Sequence, residues 1–326
     1  MKTLVTGSSG HLGEGLVVTL REMGVEVVGI DIKDSDTTDY VGSITNTKLV
    51  KQAFDGVDRV FHTATLHKPH QGTHSKQDFV ETNVSGTLCL LEASTEAQVT
   101  GFVFTSTTSV FGDALRPPPG SPAAWITEAV VPVPKNIYGA TKLAAENLCR
   151  LVSRESGLNT LALRTSRFFP EEDDDKEKRE KFSDANIKAL EFLYRRVELE
   201  DVIDAHLKAI EVVQNLKFEA YVISANTPFQ SSDLMMLNQN AARVINDRVP
   251  HLSKVFETQN WEIFPRIERV YVNENAKRDL GWNPRFDIDH MLNGLVDGKL
   301  PRSEISQKIG TKGYHNQSFT EGPYPV

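Results

Sequence analysis

The sequence predicts an α/β fold, a doubly wound parallel sheet with a smaller mixed C-terminal region, on three observations. Short strands alternate with amphipathic helical stretches through about Arg164, the alternation that builds a parallel sheet with helices on both faces. The strands are apolar at nearly every position, as strands covered on both sides are. The first strand, in Met1-Lys2-Thr3-Leu4-Val5, runs straight into the glycine-rich turn Thr6-Gly7-Ser8-Ser9-Gly10-His11-Leu12-Gly13. Such a turn lets backbone N–H groups approach a pyrophosphate at a helix N-terminus, so the fold is expected to be of Rossmann type.

Each element follows in order. Leu16, Val17 and Leu20 continue the turn as a helix, and a second strand, Val25-Glu26-Val27-Val28-Gly29-Ile30, ends in Asp31, an acid placed to grip a ribose 2′-OH. A helix over 47–54 precedes a strand at 58–62, a helix over 79–97 precedes a strand at 101–105, and a helix over 138–156 precedes a strand at 159–164. After Arg164 the regularity stops. The run 171–181 is mixed charge without an apolar residue and is expected to be a solvated helix or loop. A helix over 202–213 and a strand at 220–224 return to the pattern. The tail, with Gly310, Gly313, Gly322, Pro323 and Pro325, has little periodicity and is expected to wrap the surface or a neighbouring subunit. The expected division is a nucleotide-binding domain over 1–165, rejoined by 198–225, and a smaller substrate-binding region with the tail over 166–326.

Composition narrows the function. The 326 residues are 39% hydrophobic and 25% charged, with a net charge of −8 and no long basic run, which argues against nucleic-acid or membrane-surface partners. With the first strand starting at Lys2, no signal peptide is expected, and no apolar stretch is long enough to span a bilayer. Cys89 and Cys149 both fall within helical patterns and read as buried unpaired thiols in a reducing compartment. A cytoplasmic protein is expected.

Two clusters carry chemistry. Tyr138 and Lys142 lie at i,i+4 and project from one helix face, where an ammonium beside a phenol favours the phenolate and allows proton exchange with a substrate hydroxyl. Thr105-Ser106-Thr107-Thr108-Ser109 closes an apolar strand, and a hydroxyl there can donate to a reacting carbonyl oxygen. A third cluster, His67, His70 and His74, has no cysteine or acid to complete a zinc set and spans a proline turn, so no metal is expected.

These pieces, with Asp31, His62-Thr63-Ala64, Asn83-Val-Ser-Gly-Thr87, Val110-Phe111-Gly112, Leu163-Arg164, Asp201-Val202 and Lys277-Arg-Asp-Leu-Gly-Trp-Asn-Pro284, run in the order of the extended short-chain dehydrogenase/reductase superfamily. The chain resembles its NAD-dependent epimerase/dehydratase branch, sugar 4-epimerases in particular, over nearly its whole length. The resemblance implies NAD as cofactor. Gly7, Ser9, Gly10, His11, Leu12 and Gly13 would cradle it, Asp31 and Ile32 would meet the adenosine, and Ser43, Ile44, Thr63, Ala64 and Asn83 would line the site. It also implies Tyr138 as acid/base, Lys142 on the nicotinamide ribose, Thr107 as hydroxyl helper, and a homodimer through the helices over 79–97 and 138–156. An acid at position 31 disfavours NADP, because a carboxylate repels a 2′-phosphate.

The departures from the family pattern bear on the substrate. Dehydratases place Asp-Glu after the helper hydroxyl, where this chain has Thr108 and Ser109, so that route to water loss lacks its groups. The adenine-touching Gly-Asp reads Gly42-Ser43, the substrate-supporting asparagine is Arg167, and the phosphate-gripping arginine is Tyr194, followed by Arg195 and Arg196. An arginine at 167 suits a compact anion or, equally, an ion pair with the acids of 171–175. The candidate substrate residues are therefore His67, Thr108, Arg167, Tyr194 and Arg195. Three functions remain open: an epimerase of a sugar or sugar derivative, a net dehydrogenase of a small hydroxylated substrate, anionic or neutral, or a non-catalytic NAD(H) sensor.

Overall fold

The computed structural model describes residues 1–298, 302–313, 315 and 319. Nine strands are present among the described residues: β1 Lys2–Thr6, β2 Glu26–Asp31, β3 Tyr40–Val41, β4 Arg59–His62, β5 Gly101–Thr107, β6 Ala124–Ile126, β7 Thr160–Thr165, β8 Glu219–Ile223 and β9 Arg269–Tyr271. Seven of them form one sheet in the order β3-β2-β1-β4-β5-β7-β8. Every pairing in it is parallel. The chain winds outward in both directions from β1 and β4, so the strand order reverses there and opens a crevice at their carboxyl ends, where ligands of such sheets bind. β6 and β9 form a separate parallel pair.

The helices that precede β8 are α1 His11–Glu22, α2 Thr47–Ala53, α3 Lys76–Val80, α4 Gly86–Glu96, α5 Ile137–Ser156, α6 Lys176–Lys181, α7 Asp184–Glu191 and α8 Leu199–Val212. Six more complete the described chain: α9 Leu234–Gln239, α10 Ala241–Arg248, α11 Leu252–Gln259, α12 Glu274–Leu280, α13 Ile288–Val296 and α14 Glu304–Ile309. None is long and apolar enough to cross a membrane.

Side-chain alternation along the strands divides the core between the two faces. Val5, Phe61, Val103 and Leu163 meet Leu16 and Val17 of α1 and Val202 and Ala209 of α8. Leu4, Val60, Phe102 and Phe104 meet Val50 of α2, Leu90 and Leu91 of α4, and Ala145 and Cys149 of α5. Each fully buried Leu, Val or Phe stabilises this arrangement by roughly 1.5–3 kcal/mol. A further cluster joins Ile187 and Leu190 of α7 to Leu237, Ile245, Leu252, Phe256 and Leu292, away from the sheet. Two motifs distant in sequence meet on the first face. The Asp201 carboxylate accepts from the N–H groups of Arg285 and Phe286 at 2.9 Å each, and its carbonyl accepts from Trp282 Nε1 at 3.0 Å.

Three expectations change. The helix over 79–97 is α3 and α4 joined by a π-turn, Glu81–Ser85. Such a turn adds a residue that the 3.6-residue period does not reveal. The run 171–181 is largely exposed and includes the short helix α6, as expected, but Asp173 within it is 2% exposed and ion-paired. Cys149 is buried as expected, whereas Cys89 is only half-buried, with its Sγ 3.8 Å from Thr47 Oγ1. Gly322, Pro323 and Pro325 lie outside the described residues.

Candidate active site

A cleft of about 1390 Å³ opens at the carboxyl ends of the sheet strands and holds nearly all of the residues singled out above. Its inner end is built by the first turn. Gly7 N–H donates to Ile30 O at 2.8 Å, tying the turn to β2. A Cβ at position 13 would stand 1.9 Å from Gly7 O, so only glycine lets α1 start this close to the turn. Gly10 caps α1 without a side-chain hydrogen bond, which leaves first-turn N–H groups available for an anion. Asp31, at the end of β2, accepts from Ser9 N–H at 3.0 Å and Lys33 N–H at 2.9 Å. Its carboxylate thus holds the turn and faces the mouth of the cleft, beside the 70% exposed Ile32. Glycine cradle, uncapped helix start and terminal acid fit a dinucleotide such as NAD.

Ser43, Ile44, Thr63 and Ala64 line the same cleft. Asn83 does not. The π-turn carries its side chain behind the wall, where Oδ1 accepts from Leu66 N–H and Thr65 Oγ1 at 2.8 Å each. Its Nδ2 donates to Leu66 O and Thr141 Oγ1 at 3.1 Å. With that capacity used, Asn83 fixes the 65–66 segment and α5 instead of touching cofactor. A buried relay supports it. Thr87 Oγ1 donates to Asn83 O at 2.8 Å, so it accepts from His62 Nε2 at 2.9 Å, and His62 Nδ1 accepts from Thr6 Oγ1 at 2.8 Å. Burial holds His62 neutral, well below the usual histidine range.

Tyr138, Lys142 and Thr107 converge. Asn136 caps α5 by accepting from Gly139 N–H at 2.9 Å, and a Cβ at position 139 would lie 2.6 Å from Ser109 O. That close approach presses the start of α5 onto the end of β5. There the Thr107 side chain accepts from Ser109 N–H at 3.1 Å and lines the cleft with Tyr138. The electrostatics differ from expectation. Burial pushes the Tyr138 phenol up to about 12, against a smaller downward pull from Thr107. Lys142 sits with Nζ 4.0 Å from the Phe104 ring centroid, and burial brings its ammonium down to about 7. Desolvation outweighs the expected stabilisation of the phenolate by Lys142.

The substrate side carries the remaining candidates. His67 stands with its ring 6.0 Å from that of Tyr138 and 5.3 Å from Phe169, and burial holds it neutral, well below the usual range. Thr108 and Tyr194 are buried and line the cleft. Arg167 and Arg195 line it too, but their guanidinium groups are committed. Arg167 Nη1 reaches Asp173 at 3.1 Å and its Nη2 donates to Glu172 O at 2.8 Å. Arg195 pairs with Glu191 and, at 3.0 Å, with Asp173, while Arg196 meets Glu191 at 3.0 Å. Of the two readings of Arg167, the ion pair with the 171–175 acids is the one observed. Burial works to raise the Glu191 carboxyl, but Arg195, Arg167 and Arg196 together hold it far below the carboxylate range.

Other lining residues had no signal in the sequence. Among the described residues Arg116, Lys135 and Arg269 have no ion pair. Burial first, then the nearby Arg116, Lys68 and Arg269, lowers the Lys135 ammonium. Ser166, one residue beyond β7, is 3% exposed and its Oγ has no hydrogen-bond partner among the described residues. Glu171, Lys312, Gly313 and His315 also reach the cleft. Only long-range packing brings these together, so neither spacing nor periodicity could reveal them. No group of three His, Cys, Asp or Glu side chains able to hold a metal occurs among the described residues.

Residues 3–224 match the family model for the NAD dependent epimerase/dehydratase family. The UDP-glucose 4-epimerase of Halalkalibacterium halodurans is 32% identical over 173 residues, and the match spans 50% of this chain and 50% of that relative's length. The 3-beta-hydroxysteroid dehydrogenase of Mycolicibacterium neoaurum is 29% identical over 350 residues, 89% of each chain. Among solved structures, a short-chain dehydrogenase/reductase superfamily protein from Agrobacterium tumefaciens with bound NAD superposes with a TM-score of 0.67 at 22% identity. The match covers 91% of this chain and 96% of that one. The UDP-glucose 4-epimerase of Thermotoga maritima with UDP-glucose gives 0.64 at 23% identity, over 91% and 98%. At these identities the structural likeness establishes the fold.

Proposed function

The chain belongs to the NAD dependent epimerase/dehydratase family, and on that premise we propose that it is an NAD-dependent epimerase of a sugar or sugar derivative. The observation that carries the reading is the convergence of Tyr138, Thr107 and Lys142 in one cleft with the nucleotide turn. When bound, NAD supplies a hydride acceptor that takes hydrogen from a carbinol carbon and can return it to the opposite face. Tyr138 exchanges the hydroxyl proton with that carbinol. With its phenol near 12 it is protonated at neutral pH, which suits the return step, donation to a ketone oxygen. Thr107, which lines the cleft with Tyr138, is placed to hold the same oxygen. Lys142 would meet the nicotinamide ribose, and Asp31 the adenosine ribose. Thr108 and Ser109 stand where dehydratases carry an acid pair, which supports oxidation and return over water loss.

His67 and Thr108 would hydrogen-bond substrate hydroxyls, with Tyr194 forming part of the wall. Arg167 and Arg195 shape that wall through their ion pairs instead of binding an anion. The unpaired Arg116, Lys135 and Arg269 favour a substrate with an anionic group at the outer end of the cleft. A homodimer through α4 and α5 is supported by Val80, Leu88 and Leu151, each 37% exposed near those helices. Two unpaired cysteines suit a reducing compartment such as the cytoplasm.

A second reading, net oxidation of a hydroxylated substrate, is favoured by the dehydrogenase relative that matches 89% of each chain. The deciding experiment offers UDP-hexoses and free sugars to the purified protein and follows both sugar configuration and NADH. Interconversion of epimers without net NADH supports the epimerase, and NADH accumulating with product supports the dehydrogenase. Tyr138→Phe is expected to lower either turnover by several orders of magnitude while NAD affinity stays nearly unchanged. Full turnover in that variant refutes the mechanism.

A further inference from the structure

The cofactor cleft is crossed by a piece of chain that its nucleotide turn does not require. Helix α14 anchors the C-terminal segment. Ser303 donates to Glu198 Oε1 through N–H at 2.7 Å and through Oγ at 2.9 Å. Ile309 joins the core beside α1 and α8, and Lys308 reaches Glu22 at 3.3 Å. Beyond that anchor the chain turns at Gly310, φ +65°, a left-handed conformation that glycine adopts without strain.

The residues that follow run over the start of α1. Lys312 N–H lies 3.1 Å from Glu171 Oε1 and 3.2 Å from His11 Nε2, and Gly313 N–H donates to the same Glu171 oxygen at 3.1 Å. Glu171 in turn meets His11 at 2.9 Å, and Lys312 Nζ meets Glu14 in the first turn of α1. His315 Nε2 donates to Pro69 O at 2.9 Å, on the loop that carries His67 and His70. The segment thus spans the cleft from the pyrophosphate end of α1 to the substrate-side loop. Lys312, Gly313 and His315 line the same cavity as Gly7, Gly10 and Gly13.

We propose that residues 311–313, together with His315, form a strap over the dinucleotide, that Glu171 is the latch holding it closed, and that this strap sets how slowly NAD leaves. Its anchor and its crossing part differ in kind. The anchor is buried in the core, whereas the crossing part is held, among the described residues, by five hydrogen bonds, two of them from its backbone to one carboxylate. Glu171 Oε2 is buried with no hydrogen-bond partner among the described residues, so the latch is incompletely satisfied and releases more readily than a fully paired one. A dinucleotide seated on α1 could leave only after Lys312 and Gly313 part from Glu171. The proposal deepens the epimerase reading, because a cycle that returns its hydride gains from a cofactor that stays bound.

The test is a dissociation rate, which needs no substrate. Wild-type protein, Glu171→Ala and a chain ending at Gly310 are each loaded with NADH, and release is followed by fluorescence after mixing with excess NAD. Both variants are expected to release NADH at least ten times faster than wild type. Release within twofold of wild type in either variant overturns the strap. Faster release in Glu171→Ala alone, with the shortened chain unchanged, also overturns it, because Glu171 would then act through His11 and not through the tail. Circular dichroism and a melting curve verify folding, and if the shortened chain does not fold, Lys312→Pro, which removes the latched N–H, takes its place. The outcome is separate from the chemistry. Unchanged rates sink the strap and leave sugar epimerisation to its own assay, while strap-dependent release with every sugar inert sinks the epimerase reading alone.

Discussion

Replacing Glu191 by glutamine should be among the most destabilising single changes outside the hydrophobic core. Glu191 is fully buried and faces three guanidinium groups: Arg195, Arg196 at 3.0 Å and Arg167 at 3.8 Å. Asp173 and Asp174 supply the other two negative charges, at 3.1 and 3.5 Å from Arg167. With Lys68 paired to Asp174, four cations face three anions, and removing one anion adds to the positive excess in a largely desolvated site. At an effective dielectric of 20, one contact near 3 Å is worth about 5 kcal/mol before desolvation. Glutamine keeps one hydrogen-bonding oxygen, and the lost carboxylate no longer carries its own burial cost. Breaking a buried pair from one side typically costs about 3–5 kcal/mol, and the lower half of that range is expected here. Equilibrium urea unfolding at neutral pH reads the change. Added phosphate or sulfate should stabilise Glu191→Gln more than wild type, because Arg195 and Arg196 would then have a site for an external anion. A loss under about 1 kcal/mol, with no differential effect of phosphate, would refute the argument that these arginines are neutralised from within. In wild type, the depressed Glu191 carboxyl contributes stability above the ordinary carboxylate range that is lost on acidification below it.

Two further outcomes are expected. Asp31→Ala removes both a ribose acceptor and the tether of Ser9 N–H at 3.0 Å, so NAD affinity by titration calorimetry should fall about 10–100-fold. Preference for NAD over NADP should shrink, and an unchanged preference would rule out the ribose contact. His206, fully buried, donates from Nδ1 to Val202 O at 2.7 Å and accepts from Thr105 at Nε2 at 2.8 Å, and burial lowers it from 6.5 to about 4. The unfolded chain binds the extra proton, so stability falls as pH drops below 6.5, by ~2 kcal/mol at pH 5 from this residue. Urea unfolding of His206→Gln should show a shallower acid slope, and an equal slope would show that His206 is not its source.

What the sequence revealed was what local pattern encodes. The nucleotide turn, the strand-end acid at 31, the Tyr138–Lys142 pair and the helper at Thr107 each rest on a few consecutive residues, and the structure gathers them in one cleft. What escaped was decided by contacts across long separations. Asp173 read as solvated because its neighbours in sequence are all charged, yet Arg167 and Arg195 bury it. Tyr138 read as an activated phenol because Lys142 is one turn away, yet desolvation dominates both groups. Asn83 read as a cofactor contact because its position matched, yet one extra residue in its turn points the amide behind the wall. The tail gave no periodicity, and Lys312 is held at the cleft by Glu171, 141 positions away.

The π-turn at Glu81–Ser85 also constrains anyone who edits this chain. Each α-helical residue advances the helix by about 100°, so the surplus residue acts as a phase shifter between α3, which buries Phe79, and α4, which buries Leu90 and Leu91. Deleting one residue from the turn to obtain a straighter helix would rotate every later side chain of α4 by that angle. Leu90 and Leu91 would swing out of the core and polar neighbours would swing in. A shortening that looks harmless by helix propensity would be ruinous here, whereas substitutions on the exposed side of the same turn should be tolerated. Recombination with relatives should keep 76–96 as one block.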